Sequence, residues 1–380
     1  MEASGQAIPK RRVLEDVPRY YEPYVNDCFY NAYGALLQRK GINPALALAD
    51  YLSFMYDPDS EYIGVNFLNH ASATFYFTEE ELNSSMAYGY LPATSAYLEG
   101  KAVSAVDAEH FQIRLYTHED PQVAHDRLKQ LIDEGEAVIV VVNLYEISYH
   151  RAYKQQHGVH AVVITGYDLE EGVYYLFDKY TMSSSDFDGT LPIEEVVAGR
   201  TTPSVTVNPV SGTTVRPMEN LWMELHLHPS FRLTELLAKE LVLGSCRRMR
   251  GEEEVLGQVC GFRALDAFIT ALHAKLEKPI EQEDRNQFRF YYNSAWKSVA
   301  RQRKRFLAFL TAARTEFGWS LEESAEECLK EASMRYDIVA NLALKFGLTG
   351  KPQLLVDMAE QLVLAREAEE RLVAWLETLA

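Results

Sequence analysis

The pattern of apolar and polar positions divides the chain near residue 230 into two parts. Before that point, aromatic and β-branched runs alternate with turn residues, a pattern typical of strands. After it, long stretches of helix-forming residues carry apolar positions three and four apart. The sequence therefore predicts an α+β domain over residues 1–230, followed by an all-α helical bundle over residues 231–380.

Several apolar runs in the first part predict strands. Residues 137–144 are almost wholly apolar, which is typical of a strand buried on both faces. Residues 160–167 and 173–178 are separated by a short connection that ends in glycine, so we expect them to form an antiparallel hairpin. Two further strands are predicted at 204–208 and 221–228.

Cys28 opens a segment with helical spacing. The apolar residues after it recur at intervals of three and four positions until Gly41, so Cys28 should lie in the first turn of a helix. Asn26 or Asp27 is the expected N-cap. Two more helices in the first part and five in the second are predicted at 44–55, 125–135, 234–250, 257–276, 282–317, 321–346 and 353–379. The segment 282–317 is too long for one ordinary helix, so a break within it is expected.

Composition and charge narrow the classes of function. The 380 residues are 47% hydrophobic and 24% charged, which is ordinary for a soluble globular protein. A net charge of −18 argues against a nucleic-acid or anionic-membrane surface, since both need clustered lysine and arginine. The same charge would suit a cationic substrate such as an amine. No apolar run approaches the ~18 residues of a membrane helix, and no apolar block follows the charged N-terminus, so we expect neither a membrane helix nor a signal peptide.

Cysteine usage favours a reducing compartment. The four cysteines, Cys28, Cys246, Cys260 and Cys328, are far apart and form no Cys-x-x-Cys pair. This spacing is typical of neither a disulfide framework nor a zinc site. Together with the lack of a recognisable signal peptide, it predicts a cytoplasmic protein.

Cys28 is the candidate nucleophile. A thiol in the first turn of a helix lies at the positive end of the helix dipole, close to free backbone N–H groups, and both favour the reactive thiolate. The alternative is a small buried hydrophobic residue, which is the commoner role of a free cysteine. Position alone therefore does not decide between the two.

Two distant residues strengthen the case for chemistry. His160 opens an apolar strand, where a polar residue is unexpected, and it follows Cys28 by about 130 residues, a span expected of a papain-type pair. Asp178 ends the next strand, and antiparallel pairing should place it beside the start of the His160 strand. A carboxylate there can orient the imidazole and stabilise its charged form. His160 could instead be a surface residue, and Asp178 could only cap a turn.

The other histidines carry weaker indications. His150 and His157 precede the His160 strand and could line a substrate entrance. His157 and His160 are three residues apart, a spacing that suits metal ligands on a helix, but His160 begins a strand and no third ligand is evident. We therefore expect no metal and no other bound cofactor. His226 and His228 are expected to be structural, and the polar stretch 182–188 predicts a mobile loop that could act as a lid.

Three stretches carry a resemblance to a known family. They are NDCFYNAYGALLQRKG around Cys28, GEAVIVVVNLYEISYHRAYKQQHGVHAVVITGYD from Gly135 to Asp168, and VYYLFD ending at Asp178. Together they resemble the family of the butirosin biosynthesis protein H N-terminal domain, a branch of the papain-like cysteine enzymes. The resemblance covers about residues 20–200 and implies a papain-like domain in which an N-terminal helix packs on an antiparallel sheet. The helical second part looks like the extension often fused to that domain.

What the resemblance implies is acyl transfer. Its relatives move an acyl or aminoacyl group from the phosphopantetheine thioester of a carrier protein to an amine of a small biosynthetic intermediate. Carried over by position, Cys28 is the nucleophile, His160 the base and Asp178 the orienting acid. The expected partners are an acyl or peptidyl carrier protein as donor and a small amine as acceptor, with no nucleic acid and no membrane. The sequence leaves open whether the chain forms a homodimer.

The chain departs from the family at a few positions. The family often has aspartate at Asn143 and proline at Lys179, so a polar contact and a strand end are expected to differ. Papain-type enzymes use a glutamine six residues before the cysteine as an oxyanion donor, and this chain has Glu22 there. Asn26 or the backbone N–H of Cys28 could take that role instead.

Candidates for the substrate side of the site come from the same stretches. Tyr145, Tyr149 and Tyr153 are expected to form walls of the acceptor site, with His157 and Asn26 as further binding residues.

Two other functions are alternatives to acyl transfer for this chain. One is hydrolysis by a cysteine peptidase or thioesterase with the same three residues, and the other is a non-catalytic binding module with the helical part as a docking platform.

Overall fold

The computed structural model describes eleven parts of the chain: 9–21, 28–47, 52, 54–58, 61–64, 111–116, 118, 120–180, 185–201, 220–252 and 260–379. They pack into two compact units. The first unit is formed by the described residues of Met1–Pro44, Ile113–Thr206 and Val215–Leu225, and the second by those of Ala45–Gln112, Val207–Thr214 and His226–Ala380.

The strands that the structure describes belong to two sheets. Their bounds are β1 (Arg11–Val13), β2 (Met55–Asp57), β3 (Tyr62–Gly64), β4 (Phe111–Tyr116), β5 (Val138–Asn143), β6 (Val159–Asp168), β7 (Val173–Tyr180), β8 (Ser185–Pro192) and β9 (Trp222–Leu227). The large sheet has seven strands in the order β4-β9-β5-β6-β7-β8, with β1 also paired to β6. Every register described in it is antiparallel. Strands β2 and β3 form a separate hairpin in the second unit.

Four of the described helices lie between strands in the sequence, and the other six follow β9 and form most of the second unit. Their bounds are α1 (Cys28–Arg39), α2 (Pro44–Ala47), α3 (Pro121–Asp133), α4 (Ile193–Thr201), α5 (Glu235–Arg250), α6 (Gly261–Leu276), α7 (Gln282–Asn286), α8 (Asn293–Phe317), α9 (Glu323–Thr349) and α10 (Gln353–Leu376). The predicted α+β class is therefore confirmed, with an antiparallel sheet before residue 230 and helices after it. A papain-like arrangement stays a prediction. None of the described helices has the length and apolar character that crossing a membrane requires.

The centre of the first unit is built by β5 and β6. All six side chains of β5 are buried, which explains its nearly continuous apolar sequence. Strand β6 pairs with β5, and His160 of β6 lies opposite Val142 of β5. His160 therefore lies beside one end of the fully buried strand β5. The predicted hairpin is also confirmed, because β6 pairs antiparallel with β7.

Helix α1 packs on this sheet through its buried face. It begins at Cys28, as predicted, and the chain leaves the helix through Gly41, whose φ of +75° is readily adopted by glycine. Asn31 is buried and its side-chain amide donates to the carbonyl oxygen of Lys179 at 2.8 Å, which ties α1 to the end of β7. Tyr33 donates to the sulfur of Met223 on β9. The N-terminal turn of α1 is therefore held against the sheet where β6 begins and β7 ends.

Gly166 is a point of close backbone approach between β1 and β6. A methyl group at this position would lie 2.5 Å from the carbonyl oxygen of Arg12 and 2.9 Å from the Cα of Val13. Because both neighbours are backbone atoms, β1 would have to shift. We expect Gly166→Ala to lower the free energy of unfolding by about 1–3 kcal/mol, measured by urea denaturation.

A glycine on β8 provides the matched control for this substitution. A methyl group at Gly189 would meet only the ring of Phe187, at 3.2 Å, a side-chain contact that a shift of a few tenths of an ångström relieves without moving the backbone. Gly189→Ala should change stability by less than about 0.5 kcal/mol. Equal effects of the two variants would contradict the assignment of the Gly166 contact as a backbone clash.

The second unit has an aromatic core between the β2–β3 hairpin and the helices. Phe54 stacks on Trp296 of α8 with ring centroids 5.4 Å apart, and Tyr56 of β2 meets the edge of Phe268 of α6. This packing accounts for the grouping of the described residues within 45–112 with the helices. The sequence predicted contiguous domains at 1–230 and 231–380 instead, and that division stays a prediction.

A buried ion pair joins three helices of the second unit. Arg303 of α8 pairs with Glu369 of α10, and Tyr336 of α9 donates to the same carboxylate at 2.8 Å. The guanidinium of Arg303 also donates to the carbonyl oxygen of Leu52 at 3.0 Å. Because neither charge reaches water, removing one partner alone would leave a buried charge without compensation.

Some predicted elements differ from the structure. The helix predicted at 44–55 begins at Pro44 as expected, but Met55 starts strand β2, so its predicted end is wrong. The segment 282–317 is interrupted as an α-helix, as expected, by a π-helical stretch, Gln287–Tyr292, which lies between α7 and α8. The strand predicted at 204–208 lies outside the described residues.

The loop predicted at 182–188 is also wrong in its described part. Residues from Ser185 onward form β8, which pairs with β7 along its length. The acidic side chains of this strand are paired with cations: Asp186 with Lys179, and Asp188 with Arg19 through two hydrogen bonds. This pairing explains how so polar a sequence forms a strand. Residues 182–184 lie outside the described part of the chain.

Candidate active site

Cys28 lies at the tip of α1 with its sulfur against the start of β6. The residue is half-buried, and its Sγ accepts a hydrogen bond from the backbone N–H of Ala161 at 3.4 Å. The other three cysteines are buried. Of the four cysteines, Cys28 is therefore the most exposed.

The position of this sulfur follows from the way β6 and β7 separate. Their described pairing runs as far as Val163 and Phe177, and two residues further the same register would set Ala161 against Lys179. Instead, the N–H of Ala161 is donated to Cys28, and the carbonyl oxygen of Lys179 accepts from Asn31. Two backbone groups that would otherwise belong to the sheet are thus satisfied by side chains of α1. The first turn of the helix occupies the opening between the two strands.

His160 and Asp178 meet in this same opening. Nε2 of His160 lies 2.8 Å from Oδ2 of Asp178, and both side chains are almost fully buried. With a proton on Nε2 donated to the carboxylate, Nδ1 is the ring nitrogen left to face the sulfur. The structure therefore brings together the three residues that the sequence singled out, from one helix and two strands.

The charge state of His160 is set by its neighbours. Burial disfavours the imidazolium and lowers its pKa, but the charge of Cys28, the charge of Asp178 and hydrogen bonds to both raise it, and the net effect raises the pKa of His160 to about 10. At neutral pH the ring is therefore protonated.

Tyr149 is a further residue on Asp178. Its hydroxyl donates to Oδ2 of Asp178 at 2.9 Å, the same oxygen that His160 contacts. Its ring stacks on Phe187 of β8 with centroids 4.1 Å apart and an angle of 4° between the planes. Burial, followed by the charge of Asp178, raises the pKa of Tyr149 well above its usual value, so the hydroxyl keeps its proton and remains a donor. The sequence suggested a wall residue here and missed this contact.

Tyr145 and His157 form a pair beside the site. Their rings stack with centroids 4.4 Å apart. The amide of Asn143 donates to Nδ1 of His157 at 2.9 Å, while its oxygen accepts from the backbone N–H groups of Tyr145 and Gly158. Because Nδ1 of His157 accepts from this amide, Nδ1 carries no proton in this contact. Asn143, noted in the sequence only as a departure from the family, organises this pair.

The remaining predicted wall residue, Tyr153, is one of the more exposed aromatic side chains. It is 40% exposed, and the ammonium group of Lys154 lies 5.4 Å from its ring and 5.0 Å from the ring of Tyr145. Lys154 also pairs with Glu146. The cation is thus held over two of the three predicted tyrosines.

His150 lies behind the site. Its Nδ1 accepts from the backbone N–H of Ala152 at 3.1 Å, and its ring centroid is 6.0 Å from that of His160. Burial, and then the charge of His160, lower the pKa of His150, so this ring is neutral beside the imidazolium. It is buried, whereas the sequence suggested a place at the substrate entrance.

Several predicted features fall elsewhere. Glu22, Asn26 and Asp27 lie outside the described residues, so the helix cap and the oxyanion donor stay predictions. His226 lies on β9, and His228 follows that strand and contacts the hydroxyl of Ser230. Within the described part of the chain, no three His, Cys, Asp or Glu residues are grouped so that they could hold a metal ion.

Comparison with known families matches the part of the chain that holds this site. Residues 27–179 match the model of the family described as butirosin biosynthesis protein H, N-terminal. The match begins one residue before Cys28, includes His160 and ends one residue after Asp178. The predicted resemblance is therefore confirmed over this span, and the helices after residue 230 are consistent with the predicted helical extension. No curated protein matches the chain.

Proposed function

We propose that this chain, whose residues 27–179 match the butirosin biosynthesis protein H N-terminal family, is a biosynthetic cysteine acyltransferase that forms amides. The observation that carries the proposal is the meeting of Cys28, His160 and Asp178 at one opening in the sheet. The half-buried sulfur, the protonated imidazole and the buried carboxylate have the roles of nucleophile, proton carrier and orienting group.

The first step loads the acyl group onto the enzyme. The thiolate of Cys28 attacks the carbonyl carbon of a donor thioester, a new carbon–sulfur bond forms, and the bond to the donor sulfur breaks. The departing thiolate takes the proton of the His160 imidazolium and leaves as a thiol. Because one thioester replaces another, the step is nearly isoenergetic. The N–H of Ala161, which donates to the sulfur in the free enzyme, helps to hold the thiolate before attack.

The second step unloads the acyl group onto an amine. Neutral His160 takes a proton from the amine as its nitrogen attacks the acyl carbon, and the thiolate of Cys28 leaves. The thiolate and imidazolium are thereby restored. Aminolysis of a thioester is downhill, so no ATP is needed. Transfer exceeds hydrolysis only if water is kept from the acyl-enzyme.

The donor and acceptor are proposed by class. The donor is an acyl or aminoacyl thioester on the phosphopantetheine arm of a carrier protein, so the enzyme needs no bound cofactor of its own. The acceptor is a small amine of a biosynthetic pathway, whose cationic form suits a protein of net charge −18. The stacked Tyr145 and His157 and the exposed Tyr153 are proposed to lie along the acceptor side.

We expect the purified full chain to take up an acyl group on Cys28 from a small thioester. The probes are N-acetylcysteamine thioesters with acetyl, aminoacyl and longer acyl groups, and intact-mass and peptide mass spectrometry locate the added mass. Adding an amine acceptor should then release the group as an amide. The physical reason is that the Cys28–His160 pair makes Cys28 the most nucleophilic thiol in the chain.

Two outcomes would contradict the proposal. If folded protein carries no acyl mass on Cys28 with any of the thioesters, the nucleophile is wrong. If Cys28 is acylated but releases only free acid at saturating amine, the enzyme is a hydrolase and not a transferase. Acyl mass on Cys246, Cys260 or Cys328 in unfolded protein serves as the reference for unselective labelling.

A further inference from the structure

We propose that Tyr149 is a positioning residue of the active site, which fixes Asp178 and, through it, His160. This inference rests on the proposed function and deepens it. The hydroxyl of Tyr149 donates to the carboxylate of Asp178, which in turn contacts the imidazole of His160. The role differs from that of a substrate wall, and the two roles lead to different kinetics.

Two donors converge on one carboxylate oxygen. Oδ2 of Asp178 receives the Tyr149 hydroxyl at 2.9 Å and Nε2 of His160 at 2.8 Å. A carboxylate held by one donor can rotate about its terminal bond, whereas two donors from different segments restrict that rotation. Oδ2 is thereby kept in place for the imidazole, and Nδ1 of His160 stays directed towards Cys28.

The Tyr149 ring is itself held by a rigid part of the fold. Its stacking partner, Phe187 of β8, is paired directly across the sheet from Asp178 of β7. The residue before Tyr149 is also anchored, because the backbone N–H of Ser148 donates to the carboxylate of Glu195 on α4 at 2.7 Å. The same pair of strands therefore positions the carboxylate and the donor that restrains it.

The hydroxyl also changes the electrostatics of the pair. A hydrogen bond from Tyr149 takes up part of the negative charge of Asp178, which weakens the pull of that charge on the proton of His160. The charged and titratable groups around the two residues are His160 on β6, Cys28 on α1, His150 in the same loop and Glu195 on α4. Losing the hydroxyl leaves the other groups in place, so Asp178 should hold the imidazolium more strongly.

The test is Tyr149→Phe in the full chain, with Tyr167→Phe as the matched control. Phenylalanine keeps the stacking on Phe187 and loses only the hydroxyl. Tyr167 lies at the far end of β6 from His160, and its hydroxyl likewise donates to a carboxylate, that of Asp133, at 2.6 Å. Two readouts are needed: the pH dependence of Cys28 alkylation by iodoacetamide, followed by mass spectrometry, and kcat and KM for amide formation. Circular dichroism checks that each variant is folded.

We expect Tyr149→Phe to move the alkaline step of the alkylation profile, which reports loss of the His160 proton, upward by about half a pH unit or more. We also expect kcat to fall by about three- to thirtyfold with KM for the amine unchanged. Tyr167→Phe should leave the step where it is. A step that stays in place or moves to lower pH in Tyr149→Phe, or a change confined to KM, would overturn the inference.

The two proposals fail in different ways. Alkylation needs only a reactive thiol, so it can be measured whether or not the chain transfers acyl groups. If wild-type Cys28 is not alkylated faster than an ordinary thiol, the proposed function fails. If wild-type Cys28 is alkylated selectively and Tyr149→Phe gives the same profile, the positioning role alone is wrong.

Discussion

Replacing Cys28 with serine is expected to reduce the rate of amide formation by on the order of 10³-fold or more. The thiol can ionise near neutral pH when an imidazolium stands beside it, whereas a serine hydroxyl cannot. The sequence offers no second nucleophile to compensate, because the other three cysteines are buried. The measurement is single-turnover formation of the amide from an N-acetylcysteamine thioester and an amine, together with the intact mass of the protein.

Cys328→Ser is the control for this change. Cys328 is a buried cysteine of α9 in the second unit and has no part in the proposed chemistry. That variant should acylate on Cys28 and form the amide within about twofold of wild type if it remains folded. Retention of the wild-type rate by Cys28→Ser, or an equal loss in both variants, would rule out Cys28 as the nucleophile.

The sequence predicted the three central residues because each lies where a local pattern begins or ends. Cys28 starts an apolar helical repeat, and His160 and Asp178 lie at neighbouring ends of a hairpin whose pairing is short-range. Antiparallel pairing then makes their proximity a matter of geometry. The meeting of α1 with this hairpin is a long-range contact, which the sequence predicts only from the papain-type span between Cys28 and His160 and from the family resemblance.

Other parts of the site could not be read from the sequence. The contact of Tyr149 with Asp178 depends on how the loop after β5 folds back over the sheet, and nothing in the spacing of its tyrosines distinguishes Tyr149 from Tyr145 or Tyr153. Strand β8 was missed because its acidic residues suggested a solvated loop. The cations that pair with them, Lys179 and Arg19, are identified only once the strands are paired.

The second unit also contains a strand that the sequence pattern did not predict. The residues up to Met55 have helical apolar spacing, yet Met55 begins a strand of a hairpin. The conformation of this segment is decided by the burial of Phe54 and Tyr56 against aromatic residues more than 200 positions later, such as Trp296. Tertiary packing of this kind overrides a local pattern, and a single sequence does not reveal it.

Asp178→Asn is expected to lower the rate of amide formation by about 10²- to 10⁴-fold at neutral pH. Asparagine has nearly the same shape, and its oxygen can still accept hydrogen bonds from His160 and Tyr149, so the negative charge is the main loss. In wild type, burial of His160 lowers its pKa, and the charges of Cys28 and Asp178 raise it to about 10. Removing one of those charges must therefore lower the pKa of His160.

The direction in which the alkaline step moves follows from the lowered pKa of His160 in Asp178→Asn. Because the folded-state pKa of His160 is raised above its ordinary value of 6.5, the stabilising contribution of its proton is complete below pH 6.5 and is lost as the pH rises towards about 10. In Asp178→Asn that loss should be complete at a lower pH, and the alkaline step of Cys28 alkylation should move in the same direction. This is opposite to the upward shift expected for Tyr149→Phe, so the two variants check each other.

A neighbouring carboxylate controls for a general effect of charge. Asp186→Asn removes a negative charge from the exposed end of β8, where the side chain is 77% exposed and paired with Lys179. Screening by solvent should confine its effect on the rate to about twofold and leave the alkaline step in place. If Asp178→Asn keeps the wild-type rate and the wild-type alkaline step, then the buried carboxylate does not hold the imidazolium, and the ion pair at Cys28 must be maintained by the sulfur alone.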